Sequence, residues 1–161
     1  MRVALVSALL LLGAAQPALA APAVSEVKVS IGPALTQKAD EIGTRDLDIL
    51  AAELRRSVER KLPPRPGGGT LSLVIEDAKP NRPTPQQMSN TPGLSLDSFG
   101  VGGARISGDY VDPAGKTTPI AYSWWETDIR WARYGSTWHD AESAFDRLAA
   151  RLAKDQFSEK P

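Results

Sequence analysis

The sequence predicts an α+β fold, a two-layer β-α-β-β-β-α sandwich in which a mixed four-stranded sheet carries two helices on one face. Two segments repeat apolar side chains at three- and four-residue spacing, which is typical of amphipathic helices. Other segments alternate apolar and polar side chains, which is typical of half-buried strands. The first strand, first helix and second strand follow one another closely, which favours a right-handed crossover between two parallel strands.

Residues 1–20 have the pattern of a secretory signal peptide. Arg2 gives a short positive region, an apolar run covers residues 3–12, and Ala18-Leu19-Ala20 is a small-x-small cleavage site. The apolar run is much shorter than the roughly 20 residues that a membrane-spanning helix needs, and no later segment is apolar enough to span. We therefore expect an exported protein without a transmembrane segment.

The remaining residues, 21–161, have the size of one domain. The chain contains no cysteine, so we expect neither a disulfide nor a lipid anchor, and this absence favours a bacterial periplasm. Without Arg2, residues 21–161 have 18 basic and 19 acidic side chains. Their net charge is therefore about −1. This balance gives no electrostatic reason to expect nucleic acid or an anionic membrane as a partner.

The first strand is predicted at Val24 to Ile31 and ends at a Gly-Pro pair. Residues 34–43 are expected to form a loop with at most one helical turn. The first helix follows, with Thr44 as its expected N-cap and Pro63-Pro64 as its end. Its apolar stripe consists of Leu47, Leu50, Ala51, Leu54, Val58 and Leu62.

A second strand is predicted at Thr70 to Glu76, because Leu71, Leu73 and Ile75 alternate with other side chains. A long loop is expected at about 79–103, where four prolines and four glycines leave no helix or strand pattern. Loops of this length in compact domains are usually functional or disordered. The second half of the loop is expected to pack on the body through Leu94, Leu96, Phe99 and Val101.

A β-hairpin is predicted from Ala104 to Val111 and from Thr117 to about Asp128. Asp112-Pro113-Ala114-Gly115 between them has the composition of a type I turn. Pro119 cannot donate a ladder hydrogen bond, so the second strand is expected at an edge of the sheet.

The final helix is predicted to start near Trp138, where Thr137 and Asp140 imitate a capping box. Its apolar face consists of Ala141, Ala144, Phe145, Leu148, Ala149 and Leu152.

All four tryptophans and two of the three tyrosines lie between Tyr122 and Trp138. A continuous strand would place Tyr122 and Trp124 on one face, and Trp125, Ile129 and Trp131 on the other. Two helices on one side of the sheet can cover only one set. The other set is either covered by the 79–103 loop or exposed, where it would bind a sugar, a peptide or a partner protein.

The inventory of catalytic side chains is small. His139 has Asp140 and Ser136 as sequence neighbours, but adjacent residues on a helix point about 100° apart, which does not make a triad. Glu126 and Asp128 would share one side of a strand, the minimum for an acid and base pair, or a salt-bridged solvent face together with Arg130.

No cofactor or metal is expected. With one histidine and no cysteine, a zinc site would have to rely on carboxylates. The glycines of Phe99 to Arg105 do not make a phosphate-binding loop, because the third glycine is missing and a strand rather than a helix follows.

Three stretches carry a resemblance: Asn81 to Gln87, Pro92 to Ala104 and Thr137 to Ala141 leading into the last helix. Through them the chain resembles a small group of uncharacterised exported proteobacterial proteins. In the order of its elements it is also similar to the TolB N-terminal domain and to penicillin-binding-protein activator lipoproteins. The resemblance implies an envelope-associated domain and transfers no site residue.

The sequence therefore predicts a periplasmic, non-enzymatic domain that binds another envelope component, protein or glycan, through the 79–103 loop and the aromatic segment. The candidate binding residues are Asn81, Arg82, Trp124, Trp131 and Tyr134. The alternative is a small hydrolase or glycan-processing enzyme that uses Glu126 and Asp128.

Overall fold

The computed structural model describes residues 21–132 and 135–157, so the expected signal peptide at 1–20 lies outside the described residues. The elements in chain order are β1 (Val24–Ile31), α1 (Pro33–Thr36), α2 (Ala39–Ile42), α3 (Thr44–Lys61), β2 (Gly69–Lys79), α4 (Pro85–Asn90), β3 (Gly103–Val111), β4 (Thr117–Trp125), α5 (Ile129–Ala132) and α6 (His139–Leu152). The predicted α+β class is confirmed.

The four strands form one mixed sheet in the order β1-β2-β3-β4. β1 and β2 are parallel, with Val27 opposite Leu71 and Ile31 opposite Ile75. β2, β3 and β4 are antiparallel neighbours, and the register of β2 against β3 shifts between Ile75 and Asp77. The parallel crossover from β1 through α3 to β2 is therefore confirmed.

The core lies between one face of the sheet and the two long helices, α3 and α6, which also contact each other. The opposite face of the sheet carries partly or fully exposed side chains, among them Ser72, Ser107 and Trp125, so the layers are two. Fully buried side chains come from β2 (Leu71, Leu73, Ile75), α3 (Leu50, Leu54, Val58) and α6 (Phe145, Leu148, Leu152). Burial of these apolar surfaces is the main force that holds the layers together.

The helix starts differ from the sequence prediction. Thr44 is the first helical residue of α3, and Gly43 takes the N-cap position without a side-chain hydrogen bond. The capping box predicted for Thr137 and Asp140 is also wrong, because α6 has Trp138 as its N-cap and no side-chain cap. The carboxylate of Asp140 instead binds partners in the 79–103 segment, where more than one donor is available.

The 79–103 segment contains a helix, α4, and the prediction that it has none was wrong. Thr84 and Gln87 form a reciprocal capping box, and Pro85 stands at the first helical position, where its missing N–H costs nothing. The expectation that Leu94, Leu96 and Phe99 pack on the body is wrong as well, since all three are exposed. Residues 34–43 were expected to form a loop with at most one helical turn, but the two short helices α1 and α2 cover most of this segment.

The β3–β4 hairpin has the predicted turn. The N–H of Gly115 donates to the carbonyl of Asp112 at 2.9 Å, and Gly115 has a positive φ of 83°. Pro119 lies in β4, which is an edge strand as predicted. β4 ends at Trp125, however, and residues 129–132 are helical, so the predicted continuation to Asp128 was wrong.

Across residues 21–132 and 135–157, no helix is both long and apolar enough to cross a membrane.

Candidate functional site

A groove of about 480 Å³ lies where the α1–α2 region, the end of β2, the 80–100 segment and the end of β4 meet. This volume falls in the range of ligand-binding clefts, roughly 300 to 1,000 Å³. The groove is lined by Lys38, Glu41, Ile42, Asp77, Ala78, Lys79, Pro80, Asn81, Arg82, Pro83, Gln87, Leu94, Ser98, Phe99, Gly100 and Trp125.

Asn81 closes the groove-forming segment into a loop. Its N–H donates to the carbonyl of Thr137 at 2.7 Å, and its own carbonyl accepts the N–H of Gly100 at 2.8 Å. Its side-chain amide donates to the carbonyl of Gly100 at 3.1 Å. Asn81 lines the groove but is only 1% exposed, and these hydrogen bonds hold the loop.

Asp140 anchors that closure to α6. Its carboxylate accepts the side-chain amide of Asn81 at 2.5 Å and the N–H of Gly102 at 2.8 Å. The N–H of Asp140 donates back to Oδ1 of Asn81 at 2.8 Å. A buried carboxylate with several donors is stable, whereas one without them would be costly to bury. The Asn81–Asp140 pair therefore fixes both ends of the loop to the body.

Arg82 connects the loop to the chain before α6. Its Nε donates to the carbonyl of Gly135 at 2.9 Å, and Nη1 donates to the carbonyl of Leu96. Arg82 lines the groove, but these guanidinium donors serve the protein itself.

The helix α4 is held against α2 on one side of the groove. The hydroxyl of Thr84 donates to the carbonyl of Ile42 at 2.7 Å, and the side-chain amide of Asn90 donates to the carbonyl of Asp40 at 2.9 Å. The amide of Gln87 donates to a carboxylate oxygen of Glu41 at 3.4 Å. These contacts order a segment that has no apolar stripe of its own.

Trp125 supplies the aromatic surface of the groove. Its indole N–H donates to the hydroxyl of Ser123 at 2.9 Å, which fixes the ring. The ring lies against Gly103, where an added Cβ would stand 2.8 Å from Cε3 of the indole. Trp125, Leu94 and Phe99 are 36%, 38% and 44% exposed, so the groove offers an accessible apolar surface.

Charged side chains of both signs surround this surface. Lys38 and Asp77 form an ion pair with Nζ and Oδ1 3.0 Å apart. Lys79 and Arg82 add two cations and Glu41 adds one carboxylate among the lining residues. The groove therefore has no strong field of a single sign.

Trp124 and Trp131, two further predicted binding residues, do not line the groove. Trp124 is half-buried on the helix-covered face with the guanidinium of Arg147 4.5 Å from its ring centroid, a cation–π contact. Trp131 is 63% exposed on α5 and does not line the groove. Tyr134 lies outside the described residues.

The predicted split of the aromatic residues is partly right. Tyr122 and Trp124 face the helices as one set, and Trp125 faces the opposite side of the sheet. Ile129 and Trp131 do not continue that set, because the strand ends before them and they belong to α5.

Glu126 and Asp128 follow the end of β4 and do not form an acid and base pair on a strand, whereas the ion pair expected with Arg130 is present at Asp128. Glu126 turns back to accept the N–H groups of Thr127 and Asp128 at 2.8 and 2.9 Å. Asp128 accepts the N–H of Arg130 at 3.0 Å and pairs with its guanidinium at 2.6 Å. Hydrogen bonds from Arg130 lower the pKa of Asp128, the opposite of what a proton donor near neutral pH needs. Neither carboxylate lines the groove.

In the part of the chain that the structure describes, no three His, Asp or Glu side chains converge into a group that could hold a metal ion.

No protein-family model and no curated protein matches this chain. Among solved structures, the chain is similar to the crystal structure of the rare lipoprotein B from Shewanella oneidensis, with a TM-score of 0.36 and 9% identity over 81% of this chain and 92% of that one. At this TM-score the likeness carries no functional argument, and the resemblance to exported proteobacterial proteins stays a prediction.

Proposed function

We propose that this chain is a periplasmic, non-enzymatic domain that binds another envelope component through the groove beside Trp125. The observation that carries the proposal is a preformed groove in which exposed Leu94, Phe99 and Trp125 stand next to hydrogen-bonding side chains. Concave, largely apolar sites with a few polar groups are the usual form of ligand sites.

The hydrogen bonds that order the 80–100 segment support a role in binding, in addition to connecting β2 to β3. Asn81, Asp140 and Thr84 use buried hydrogen bonds to hold the 80–100 segment in one conformation. Such preorganisation reduces the conformational entropy that a ligand would otherwise have to offset. At the same time three apolar side chains of this ordered segment stay exposed, which a purely structural loop does not require.

Of the predicted binding residues, Asn81 and Arg82 act in the proposal as the frame of the groove. Trp131, although outside the groove, is a candidate for additional contact with a large partner because it is the most exposed tryptophan of the described residues. Trp124 drops out of direct contact, since Arg147 and the helix layer cover it.

The experiment is capture of envelope components on the immobilised protein. We expect a set of proteins or sacculus fragments to be retained by the wild type and by Ile49→Ala, an exposed apolar position on α3 far from the loop in sequence. The double variant Phe99→Ala, Trp125→Ala should lose that set. Circular dichroism and thermal unfolding of all three proteins check that the fold is kept. Retention of identical components by all three proteins would overturn the proposal.

A further inference from the structure

The ligand class of this groove follows from its lining, and the inference rests on the proposed function. We propose that the groove binds a sugar chain of the envelope, an uncharged or N-acetylated hexose oligosaccharide, with one sugar ring stacked on the indole of Trp125.

The indole of Trp125 is held in one orientation. The hydrogen bond from its N–H to the hydroxyl of Ser123 and its contact with Gly103 hold the ring against the strand instead of letting it project freely. Gly103 has a φ of 151° and no Cβ, so the ring can approach the backbone closely. A fixed aromatic surface, whose face carries the negative part of the ring quadrupole, suits the C–H face of a sugar ring.

The polar side chains of the lining form what we call the rim of the groove. Lys38 offers ammonium donors, and Asp77 and Glu41 offer carboxylate acceptors. The amide of Gln87 already binds Thr84 and Glu41, but an amide nitrogen carries a second N–H donor. Because a sugar hydroxyl can donate and accept, a ring stacked on the indole can use a rim of this mixed kind.

Charged side chains of both signs line the groove. Lys38 is already paired with Asp77, and Glu41 accepts the amide of Gln87. With three cationic and two acidic side chains in the lining, the groove does not favour a strongly charged ligand of either sign. An uncharged ligand with many hydroxyls meets this condition.

An apolar peptide is the alternative ligand for this groove. Side chains that anchor protein partners usually enter well-packed pockets from which water is fully excluded. Here Leu94, Phe99 and Trp125 are each more than one-third exposed and line an open groove. Such a surface favours the stacking of a sugar ring over the insertion of a side chain from a peptide partner.

The test is a titration of the ¹⁵N-labelled protein with the tetramer of β-1,4-linked N-acetylglucosamine, followed by NMR. We expect saturable shifts of the indole N–H of Trp125 and of the side-chain amide of Gln87. The indole N–H of Trp138 is an internal control, because it is buried and bonded to Asp46. Trp125→Ala should weaken binding by about tenfold, the loss of one aromatic stacking contact, and Phe99→Ala should weaken it less. Trp131→Ala should bind as the wild type does.

Three results would overturn the inference. One is the absence of a saturable shift, and another is unchanged affinity in Trp125→Ala. The third is saturation of the same resonances by a proline-rich decapeptide but not by the tetramer, which would leave the proposed binding function intact and identify a peptide as the ligand. If groove variants also leave the envelope capture unchanged, the proposed function falls with the inference.

Discussion

The indole N–H of Trp138 donates to the carboxylate of Asp46 at 2.9 Å, and both side chains are buried. This bond joins the start of α6 to the first turn of α3, which are 92 residues apart. The negative charge of Asp46 also lies near the positive end of the α3 dipole. The two long helices are therefore held together at one end by a charge-assisted hydrogen bond as well as by apolar packing.

The first prediction concerns this bond. Trp138→Phe keeps an aromatic ring but leaves the buried carboxylate of Asp46 without its indole donor, so we expect a loss of about 2 kcal/mol in the free energy of unfolding. Urea denaturation measures it. The matched control is Trp131→Phe at an exposed position, where the change should stay within about 0.5 kcal/mol. Equal stability of Trp138→Phe and wild type would contradict the role given to the bond.

The second prediction concerns the loop closure at Asn81. Asn81→Ala removes two hydrogen bonds between the Asn81 side chain and Asp140, one to its carboxylate and one from its backbone N–H, and should destabilise the protein by about 2 kcal/mol. It should also speed hydrogen exchange at the amides of Gly100 and Gly102, which belong to the closure. Hydrogen exchange read by mass spectrometry checks the effect, with Arg55→Ala at an exposed position on α3 as control. Unchanged exchange at both glycines would show that the loop closes without the Asn81 side chain.

The third prediction concerns the seat of the Trp125 ring. Gly103→Ala would place a methyl group 2.7 Å from Cα of Trp125 and closer still to the carbonyl of Trp124, at a φ that side chains rarely adopt. We expect a loss of 2 kcal/mol or more, roughly, and a changed environment of the Trp125 indole. Gly100→Ala is the control, because an added Cβ there meets no heavy atom within 4 Å. Thermal unfolding and indole NMR measure both; similar behaviour of the two variants would contradict the prediction.

The fourth prediction concerns pH. Partial burial, followed by the negative charges of Glu53 and Asp146, raises the pKa of Glu142, and His139 opposes this in part. The ionised carboxylate therefore costs stability above this raised pKa, and the cost disappears below the ordinary value near 4.3.

Glu142→Gln removes that cost and should raise the melting temperature by about 1–2 °C at pH 7, with no gain near pH 3, where both side chains are neutral. Calorimetry at the two pH values measures it. An equal gain at both pH values would mean that packing, and not ionisation, causes the change.

The sequence was a good guide where a local pattern also decides the structure. The alternation of Val27, Val29 and Ile31 predicted β1 within the bounds observed, and the apolar stripe of α3 predicted its length to within a residue or two. The turn at Asp112 to Gly115 was predicted because its composition alone favours one backbone geometry.

The sequence was a poor guide where distant partners decide the structure. α4 has a capping box but no apolar stripe, and its contacts with α2 come from residues more than 40 positions away. The Asn81–Asp140 bond spans 59 residues and leaves no local pattern. β4 ends where Glu126 binds its own neighbours, which alternation of residue types could not predict.

The closure at Asn81 makes the stretch between it and Gly100 a ring that leaves and re-enters the body at one point. A change of sequence inside the ring should therefore have little effect on the stability of the sheet and the two long helices. Loop closure entropy grows slowly, by about 0.6 kcal/mol for each doubling of length. Residues 92–99, which follow α4 and its contacts with α2, can therefore change in sequence without altering those contacts, so that ligand specificity could change on the same scaffold.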